Sequence, residues 1–208
     1  MTLKQNEKIK FIVSTLEKLY PNPQIPLKHE NNFTFLVAVM LSAQSTDKKV
    51  NEITPKLFDI ANNAEKMSKM EVAKIKTIIR EIGLAPTKSK NLKKMSIQLL
   101  ERHKGKVPNT FEDLENLAGV GHKTASVIMS QAFNQNAFPV DTHIHRLAKR
   151  WKLSNGKNVK KTEKDLKKIF DENLWNKLHL QMIFYGREYC QARRNKCSCN
   201  ICNIIRKT

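Results

Sequence analysis

The sequence predicts an all-α protein, and three observations support that prediction. Apolar residues recur at intervals of three and four along most of the 208 residues, which is the period of an amphipathic helix. Convincing alternation of apolar and polar residues, the pattern of a half-buried strand, is absent. Gly and Pro number only 6 and 7, and hydrophobic residues make up 40% of the chain, which is ordinary for a globular protein with a real core.

The first half of the chain carries five predicted helices, each marked by an apolar stripe. Pro21-Asn22-Pro23 ends the first helix, and Gly83 is expected to be the C-cap of the fourth. The second is strongly apolar and is expected to be a buried central helix. The stripes are Ile9, Ile12, Val13, Leu16 and Leu19; residues 33–44; Val50, Ile53, Leu57 and Phe58; Val72, Ile75, Ile79 and Ile82; and Leu92, Met95 and Leu99.

The second half continues the helical pattern as far as the cysteines. After Pro108 we expect a short helix over 111–117 and, beyond a glycine turn, a helix over 122–133. Asp141 is the expected N-cap of the next helix. A looser helical region follows over 159–189, and the tail from Cys190 onward is polar, basic and rich in cysteine.

The charge balance favours a polyanionic partner. Lys and Arg outnumber Asp and Glu by 38 to 19, which gives a net charge of +19. Lys and Arg contacts to phosphates release condensed counterions, so nucleic acid is the expected partner. A ribosomal or membrane-surface role, or a merely solvated cationic surface, is the alternative. No stretch approaches the ~20 apolar residues of a membrane span, and the N-terminus has no apolar signal core, so we expect a cytoplasmic protein.

The segment 111–133 is predicted to be two helices joined by a glycine hairpin. Gly119 and Gly121 would allow positive φ and a close backbone approach to another molecule. The N-terminus of the following helix would offer N–H groups and a dipole that suit a phosphate. An ordinary helix–helix turn is the alternative, because short motifs match by chance.

Lys123 and Asp141 are the candidate reactive pair. Lys123 lies in the first turn of the second hairpin helix, where the helix dipole and neighbouring cations would favour its neutral, nucleophilic amine. Taken alone, a lysine in a chain this basic is almost always a solvated surface charge, so the reactive interpretation needs a partner. Asp141 follows 18 residues later and combines the N-cap role with a carboxylate that can still face a cleft.

Three segments resemble the signature motifs of the endonuclease III family, in family order and at similar separations. They are Leu41-Ser42-Ala43-Gln44-Ser45-Thr46-Asp47, Leu117-Ala118-Gly119-Val120-Gly121-His122-Lys123-Thr124-Ala125 and Val140-Asp141-Thr142-His143-Ile144. The resemblance runs from about residue 5 to 202. It implies a helix-hairpin-helix DNA glycosylase with two helical lobes, a six-helix barrel over 23–135 and a second lobe formed by 1–22 and 136–208. DNA would bind across the groove between them.

The resemblance also implies roles for individual residues. Lys123 would be the Schiff-base nucleophile, and Asp141 would assist its deprotonation and stabilise positive charge on the sugar. The hairpin residues would bind the DNA backbone, often with a monovalent cation in this family. Gln44 would fill the gap left by a flipped nucleotide, with Leu84 as a wedge. The hairpin set is Gly119, Val120, Gly121 and His122, of which His122 replaces the usual Arg or Lys.

The implied activity is base excision repair by a bifunctional enzyme. It would release oxidised pyrimidines and nick the abasic strand of double-stranded DNA, acting as a monomer. Two alternatives remain: a monofunctional adenine-mismatch glycosylase, in which the position of Lys123 is typically not lysine, and a non-catalytic helix-hairpin-helix binder, which needs neither Lys123 nor Asp141.

The four cysteines are the main departure from the family pattern. Clustered cysteines in a chain without an export signal indicate metal ligands. Relatives carry C-x6-C-x2-C-x5-C for a 4Fe-4S cluster, whereas Cys190, Cys197, Cys199 and Cys202 have intervals of six, one and two residues. The iron-sulfur cluster is the expected cofactor, with a Cys₄ zinc site or an empty loop as alternatives. The basic residues around them are expected to contact the DNA backbone: Arg187, Arg193, Arg194 and Lys196.

Overall fold

The computed structural model describes residues 5–193 and 197–207, and its regular elements over those residues are all helical. The all-α prediction is therefore confirmed. A short 3₁₀ helix, Glu172–Leu174, precedes α11. The α-helices are α1 (Gln5–Leu19), α2 (Asn32–Ser42), α3 (Asp47–Phe58), α4 (Ala64–Lys69), α5 (Val72–Ile78), α6 (Ala85–His103), α7 (Phe111–Glu115), α8 (His122–Ala132), α9 (Thr142–Arg150), α10 (Val159–Ile169), α11 (Trp175–Glu188) and α12 (Asn200–Lys207).

The chain forms two compact units. One is Ile25–Phe133, which contains α2 to α8 and is called the hairpin unit below. The other combines the described parts of Met1–Gln24 and Asn134–Thr208, with α1 and α9 to α12, and is called the cysteine unit. None of the described helices is both long and apolar enough to span a membrane.

In the hairpin unit, α2 is the central helix. Every residue from Phe33 to Leu41 is buried, as the apolar run predicts. The helix starts at a capping box. The Asn31 side chain accepts a hydrogen bond from the backbone N–H of Thr34, and the Thr34 hydroxyl oxygen accepts one from the backbone N–H of Asn31. Around α2 pack α3, α6 and α8, while α4 and α5 lie against α6. The hairpin of α7 and α8 is thus held on the most buried helix of the unit.

In the cysteine unit, the core lies between α1, α9 and α11. Helix α11 packs against α1 and α9, and α10 packs against α9. Trp151 and Tyr185 are its largest fully buried side chains, with their rings edge to face at 5.5 Å between centroids. The four cysteines belong to the same apolar cluster. The cysteine loop is therefore part of this core.

The fourth predicted helix ends earlier than its apolar stripe suggests. Helix α5 stops at Ile78 with Ile79 as its C-cap, so the expectation that Gly83 would be that cap is wrong. Ile79 and Ile82 are nevertheless fully buried, because the turn after α5 folds back onto the unit. The spacing of these apolar residues therefore reflects their burial and does not reflect a helical period.

Two helices were not predicted. Helix α4 has six residues, too few for an apolar period to stand out, although Ala64 and Met67 are buried. Helix α12 lies in the polar, basic, cysteine-rich tail, for which no helix was predicted. Its buried face consists of Ile201, Cys202 and Ile205, so one position of its stripe is a cysteine.

Candidate active site and cysteine site

The hairpin between α7 and α8 requires a glycine at one position. Gly119 has φ +80°, the left-handed region, as the sequence predicts. A Cβ there would lie 2.8 Å from Nδ2 of Asn91 and 2.9 Å from Cε of Met40. The left-handed backbone thus disfavours a side chain, and an added Cβ would also require the ends of Asn91 and Met40 to shift. The hairpin lies directly against α2 and α6.

Gly121 differs from Gly119 both in backbone conformation and in the space around it. The expectation of positive φ is wrong here, since Gly121 is an extended N-cap with φ −100° and ψ 174°. An added Cβ would meet nothing within 4 Å, so the backbone is open at this point. Among the described residues, no side chain caps α8, whereas Thr110 caps the preceding α7. The N–H groups in the first turn of α8 therefore follow an N-cap residue that has open space beside it.

The rest of the hairpin is anchored internally. The N–H of Ala118 donates to Oε1 of Gln98 at 2.7 Å, and the N–H of Val120 donates to the carbonyl of Leu117 at 3.1 Å. The Leu117 and Val120 side chains are buried. Any contact that Val120 makes with an outside molecule would therefore come from its backbone.

His122 and Lys123 open α8, and both side chains are exposed. The Nδ1 atom of His122 lies 2.7 Å from Oε1 of Glu115, and its ring stacks on Phe111 with centroids 5.7 Å apart. The imidazole is thus engaged within the hairpin. Lys123 stands one residue further along, in the first turn.

Asp141 is the N-cap of α9, as predicted. Its Oδ1 accepts from the N–H of Ile144 at 2.8 Å, and the residue is half-buried. Lys123 belongs to the hairpin unit and Asp141 to the cysteine unit. Their pairing at one reaction centre stays a prediction.

Gln44 and Leu84 lie on two turns of the hairpin unit that touch. Both have left-handed backbones, with φ 56° and φ 62°. Gly83 joins the turns: its N–H donates to Oγ of Ser45 at 3.0 Å, and a Cβ there would lie 2.6 Å from the Gln44 carbonyl oxygen. Both side chains are exposed, Leu84 to 52% although it is apolar. The two predicted wedge residues are therefore neighbours on strained backbone.

Lys88, which the sequence did not single out, holds the first of these turns. Its side chain is buried, and its Nζ donates to the carbonyl of Leu41 at 2.8 Å and to that of Ala43. Burial lowers the pKa of this amine. A cation at the C-terminus of α2 satisfies carbonyls that the helix leaves unpaired and opposes the negative end of its dipole.

The four predicted metal ligands come together in the cysteine unit. The Sγ atoms of Cys190, Cys197, Cys199 and Cys202 all lie within 4.8 Å of one another, and all four residues are buried. All four thiols are free, with 3.7 Å between the sulfurs of Cys190 and Cys202. Hydrogen bonds from the Cys190 and Cys202 thiols lower the pKa of Cys199. Four converging sulfurs of this kind can hold a metal centre.

Two arginines of α9, also missed from sequence, support this site. Arg146 donates through Nε and Nη2 to the carbonyl of Cys190, at 3.2 and 3.0 Å. Arg150 donates through Nη1 to Sγ of Cys190 at 3.2 Å and to the carbonyl of Gln191 at 2.9 Å. Their spacing of four residues, one helical turn, is the feature of the sequence that could have drawn attention to them. Nothing in the sequence identifies the groups to which they donate.

Comparison with known proteins places these features in a family. The family model described as HhH-GPD superfamily base excision DNA repair protein matches residues 37–172, a stretch that includes Lys123 and Asp141. Endonuclease III of Haemophilus influenzae is 40% identical over 191 residues, which are 91% of this chain and 90% of that protein. The chain belongs to the endonuclease III family.

Other members of the endonuclease III family agree in sequence and in fold. The Escherichia coli strain K12 endonuclease III is 40% identical, covering 91% of this chain and 90% of its own. The solved structure of a trapped endonuclease III–DNA covalent intermediate, in an estranged-adenine complex, superposes with a TM-score of 0.90. It shares 36% sequence identity and covers 96% of this chain and 94% of the other.

The iron-sulfur cluster expected of an endonuclease III relative fits the ligand count of this site but not its size. A 4Fe-4S core places one iron at each of four corners with a thiolate beyond it, so the four sulfurs stand roughly 6 Å apart. Here every sulfur pair is within 4.8 Å. As the cysteines stand, a core of four irons does not fit between them.

The predicted basic patch is described only in part. Arg187 and Arg193 are exposed beside the cysteines. Arg194 and Lys196 lie outside the described residues. The patch as a DNA contact stays a prediction.

Proposed function

We propose that the protein is a DNA N-glycosylase and abasic-site lyase that removes oxidised pyrimidines from double-stranded DNA and nicks the strand by β-elimination. The observation that carries the proposal is the position of Lys123. Its exposed amine stands in the first turn of α8, directly after an open glycine N-cap that suits a phosphate. This position supports the proposal that Lys123 is a nucleophile beside an element that would bind a phosphate.

The relatives support this assignment. Proteins that share 40% of this sequence over most of their length are named endonuclease III. One structure with the same fold is of an endonuclease III–DNA covalent intermediate. A covalent bond to DNA requires a nucleophile on the enzyme, and a lysine amine is the group that forms Schiff bases.

The first chemical step is displacement of the base. The damaged nucleotide must leave the helical stack, because its glycosidic bond is otherwise out of reach. The lone pair on Nζ of Lys123 forms a bond to C1′ of the sugar, and the C1′–N bond breaks with its electron pair going to the departing base. The new ammonium then loses a proton, and the nitrogen lone pair forms the C1′=N bond of an iminium as the C1′–O4′ bond breaks and O4′ takes up a proton. Asp141 would stabilise the positive charge at C1′ and accept the proton.

The second step is strand cleavage. The iminium makes the C2′ hydrogen acidic, and loss of that proton expels the 3′ phosphate as the C3′–O bond breaks. Water then hydrolyses the iminium and returns Lys123 to its free amine. The lyase activity therefore depends on the same amine as the glycosylase activity.

DNA binding would use the open backbone of the hairpin and the two touching turns. The N–H groups at the start of α8 would hold a backbone phosphate, with His122 beside them. Gln44 would enter the space of the flipped nucleotide, and Leu84 would wedge the adjacent step. Their shared anchoring through Gly83 supports a joint role.

The cofactor, oligomeric state and location complete the proposal. Four thiolates match the ligand count of a 4Fe-4S cluster, but the separations of the sulfurs do not match its size, so no step is routed through it. Action as a monomer is proposed from the resemblance to the family. A chromosomal substrate would place the protein at the nucleoid in the cytoplasm.

Borohydride trapping tests the proposal. A duplex with one thymine glycol is incubated with protein and borohydride, which reduces the iminium to a stable adduct. Wild type and the control Lys164→Ala, altered at an exposed lysine of α10, should both give the adduct. Lys123→Ala should bind the duplex and give none, with lyase rates lower by a factor on the order of 1000 or more. A wild type that binds but forms no adduct would sink the bifunctional assignment.

Asp141→Asn separates catalysis from capping. Asparagine caps helices as well as aspartate does, so α9 should keep its N-cap while losing the charge. We expect base release to slow by a factor on the order of 100 with the midpoint of thermal unfolding nearly unchanged. An unchanged rate would show that Asp141 acts only as the cap.

A further inference from the structure

We propose that Cys190, Cys197, Cys199 and Cys202 bind a single tetrahedral Zn²⁺ ion in place of an iron-sulfur cluster. The proposal rests on the size of the sulfur tetrahedron, on the helix that fixes two of its corners and on the donors around it. It stands independently of the proposed reaction, since no step of that reaction uses the metal.

The size of the site is nearer to that of a single ion than to that of a four-iron core. Zn–S bonds of about 2.3 Å in a regular tetrahedron put the sulfurs about 3.8 Å apart. The sulfurs of Cys190 and Cys202 are 3.7 Å apart, and every pair is within 4.8 Å. A cubane of four irons needs roughly 6 Å, so every pair of sulfurs would have to separate by more than 1 Å.

The backbone opposes such an expansion. Cys199 immediately precedes α12, and its carbonyl accepts from the N–H of Asn203 at 2.9 Å, so Cys199 and Cys202 share one helical turn. The turn is fixed to the core, because the N–H of Ile201 donates to the Tyr185 hydroxyl at 3.3 Å. Only one residue separates Cys197 from Cys199. The helical turn and this short spacing limit how far the sulfurs can separate without a change in the backbone.

The surroundings suit a compact anionic centre. Four thiolates on Zn²⁺ carry a net charge of −2, and Arg150 donates directly to one of the sulfurs, Sγ of Cys190, at 3.2 Å. Arg146 fixes the backbone of the same cysteine through its carbonyl. Groups of this kind orient the ligands of a metal and tune its affinity. The four cysteines also belong to the apolar core of their unit, as expected of a closed, structural zinc site.

Metal analysis of the full chain decides between the two centres. The protein is expressed with iron and zinc both supplied, purified without oxygen, and assayed for zinc, iron and acid-labile sulfide. We expect one zinc per chain, iron and sulfide well below one, and no broad visible absorption from an iron-sulfur cluster. Four irons and four sulfides per chain would overturn the proposal, as would one iron without sulfide or a folded protein that holds no metal.

Reconstitution and variants give a second readout. The metal-free chain, treated anaerobically with ferrous iron and sulfide alone, should form no cubane, and Co²⁺ should bind once with the visible spectrum of a tetrahedral thiolate site. Cys199→Ser should weaken zinc binding at least 100-fold in a competition with a chelator, whereas Ser198→Ala, at the exposed position between two ligands, should not change it. A cubane formed on reconstitution, or equal zinc affinity of the two variants, would refute the assignment.

Discussion

The two hairpin glycines differ in what a side chain would meet. At Gly119 the backbone is left-handed and a methyl group would press on Asn91 and Met40. At Gly121 the backbone is extended and the space beside it is open. The same substitution should therefore separate folding from binding at positions two residues apart.

We expect Gly119→Ala to lower the free energy of unfolding by about 2 kcal/mol, from backbone strain and the close contacts. Gly121→Ala should change it by less than about 1 kcal/mol, yet weaken binding to abasic duplex about tenfold or more, because its methyl group would stand where a phosphate approaches. Urea unfolding and fluorescence anisotropy measure the two quantities. Equal destabilisation, or full DNA affinity of Gly121→Ala, would contradict the roles assigned to these glycines.

At the scale of helices, the C-terminus of α2 depends on α6. Lys88, on α6, donates to the carbonyls of Leu41 and Ala43 just before the turn that carries Gln44. The ammonium thus joins two helices and sets the start of a left-handed turn. No side chain of α2 itself supplies this bond within the described residues.

Lys88→Met should reveal this dependence. The methionine fills similar volume but leaves two carbonyls without their donor, so we expect a loss of about 2 kcal/mol in the free energy of unfolding. Lys90→Met, at an exposed position of the same helix, is the control and should lose less than about 0.5 kcal/mol. Coincident urea midpoints for the two variants would show that the buried bonds contribute little.

Sequence alone predicted the helices whose apolar stripes are long, and it failed where other forces set the pattern. The stripes of α2 and α3 run for about three turns, and their residues are buried as expected. Helix α4 is too short for a period, and α12 places a cysteine on its buried face. Beyond α5, Ile79 and Ile82 are buried in a turn, so apolar spacing there reported burial without helix.

The residues of the candidate site also differ in whether the sequence alone could identify them. The hairpin glycines, Lys123 and the cysteines stand in contiguous motifs, which a sequence displays directly. Lys88 and Arg146 do not, because their partners are backbone carbonyls more than forty residues away. The need for glycine at position 83 also depends on a distant backbone atom, the Gln44 carbonyl oxygen. Contacts of this kind appear only once the chain is folded.

At the scale of the whole molecule, the positive charge is unevenly shared. Residues 1–24 and 134–208 carry 21 Lys and Arg against 8 Asp and Glu, whereas residues 25–133 carry 17 against 11. Most of the net charge of +19 therefore belongs to the cysteine unit, although the hairpin and Lys123 belong to the other. Long-range attraction of DNA should thus depend mainly on the unit that lacks the hairpin.

Salt dependence tests this division. If undamaged duplex is held by at least about four phosphate contacts, its affinity should fall roughly 100-fold between about 50 and 200 mM salt. Arg193→Ala, exposed in the cysteine unit, should reduce the slope of log K against log salt by about one, whereas Lys74→Ala, exposed on α5 of the hairpin unit, should leave it unchanged. A fall of less than tenfold for wild type would contradict electrostatic binding. Equal slopes for the two variants would remove Arg193 from the DNA contact and leave the charge asymmetry without a role in binding.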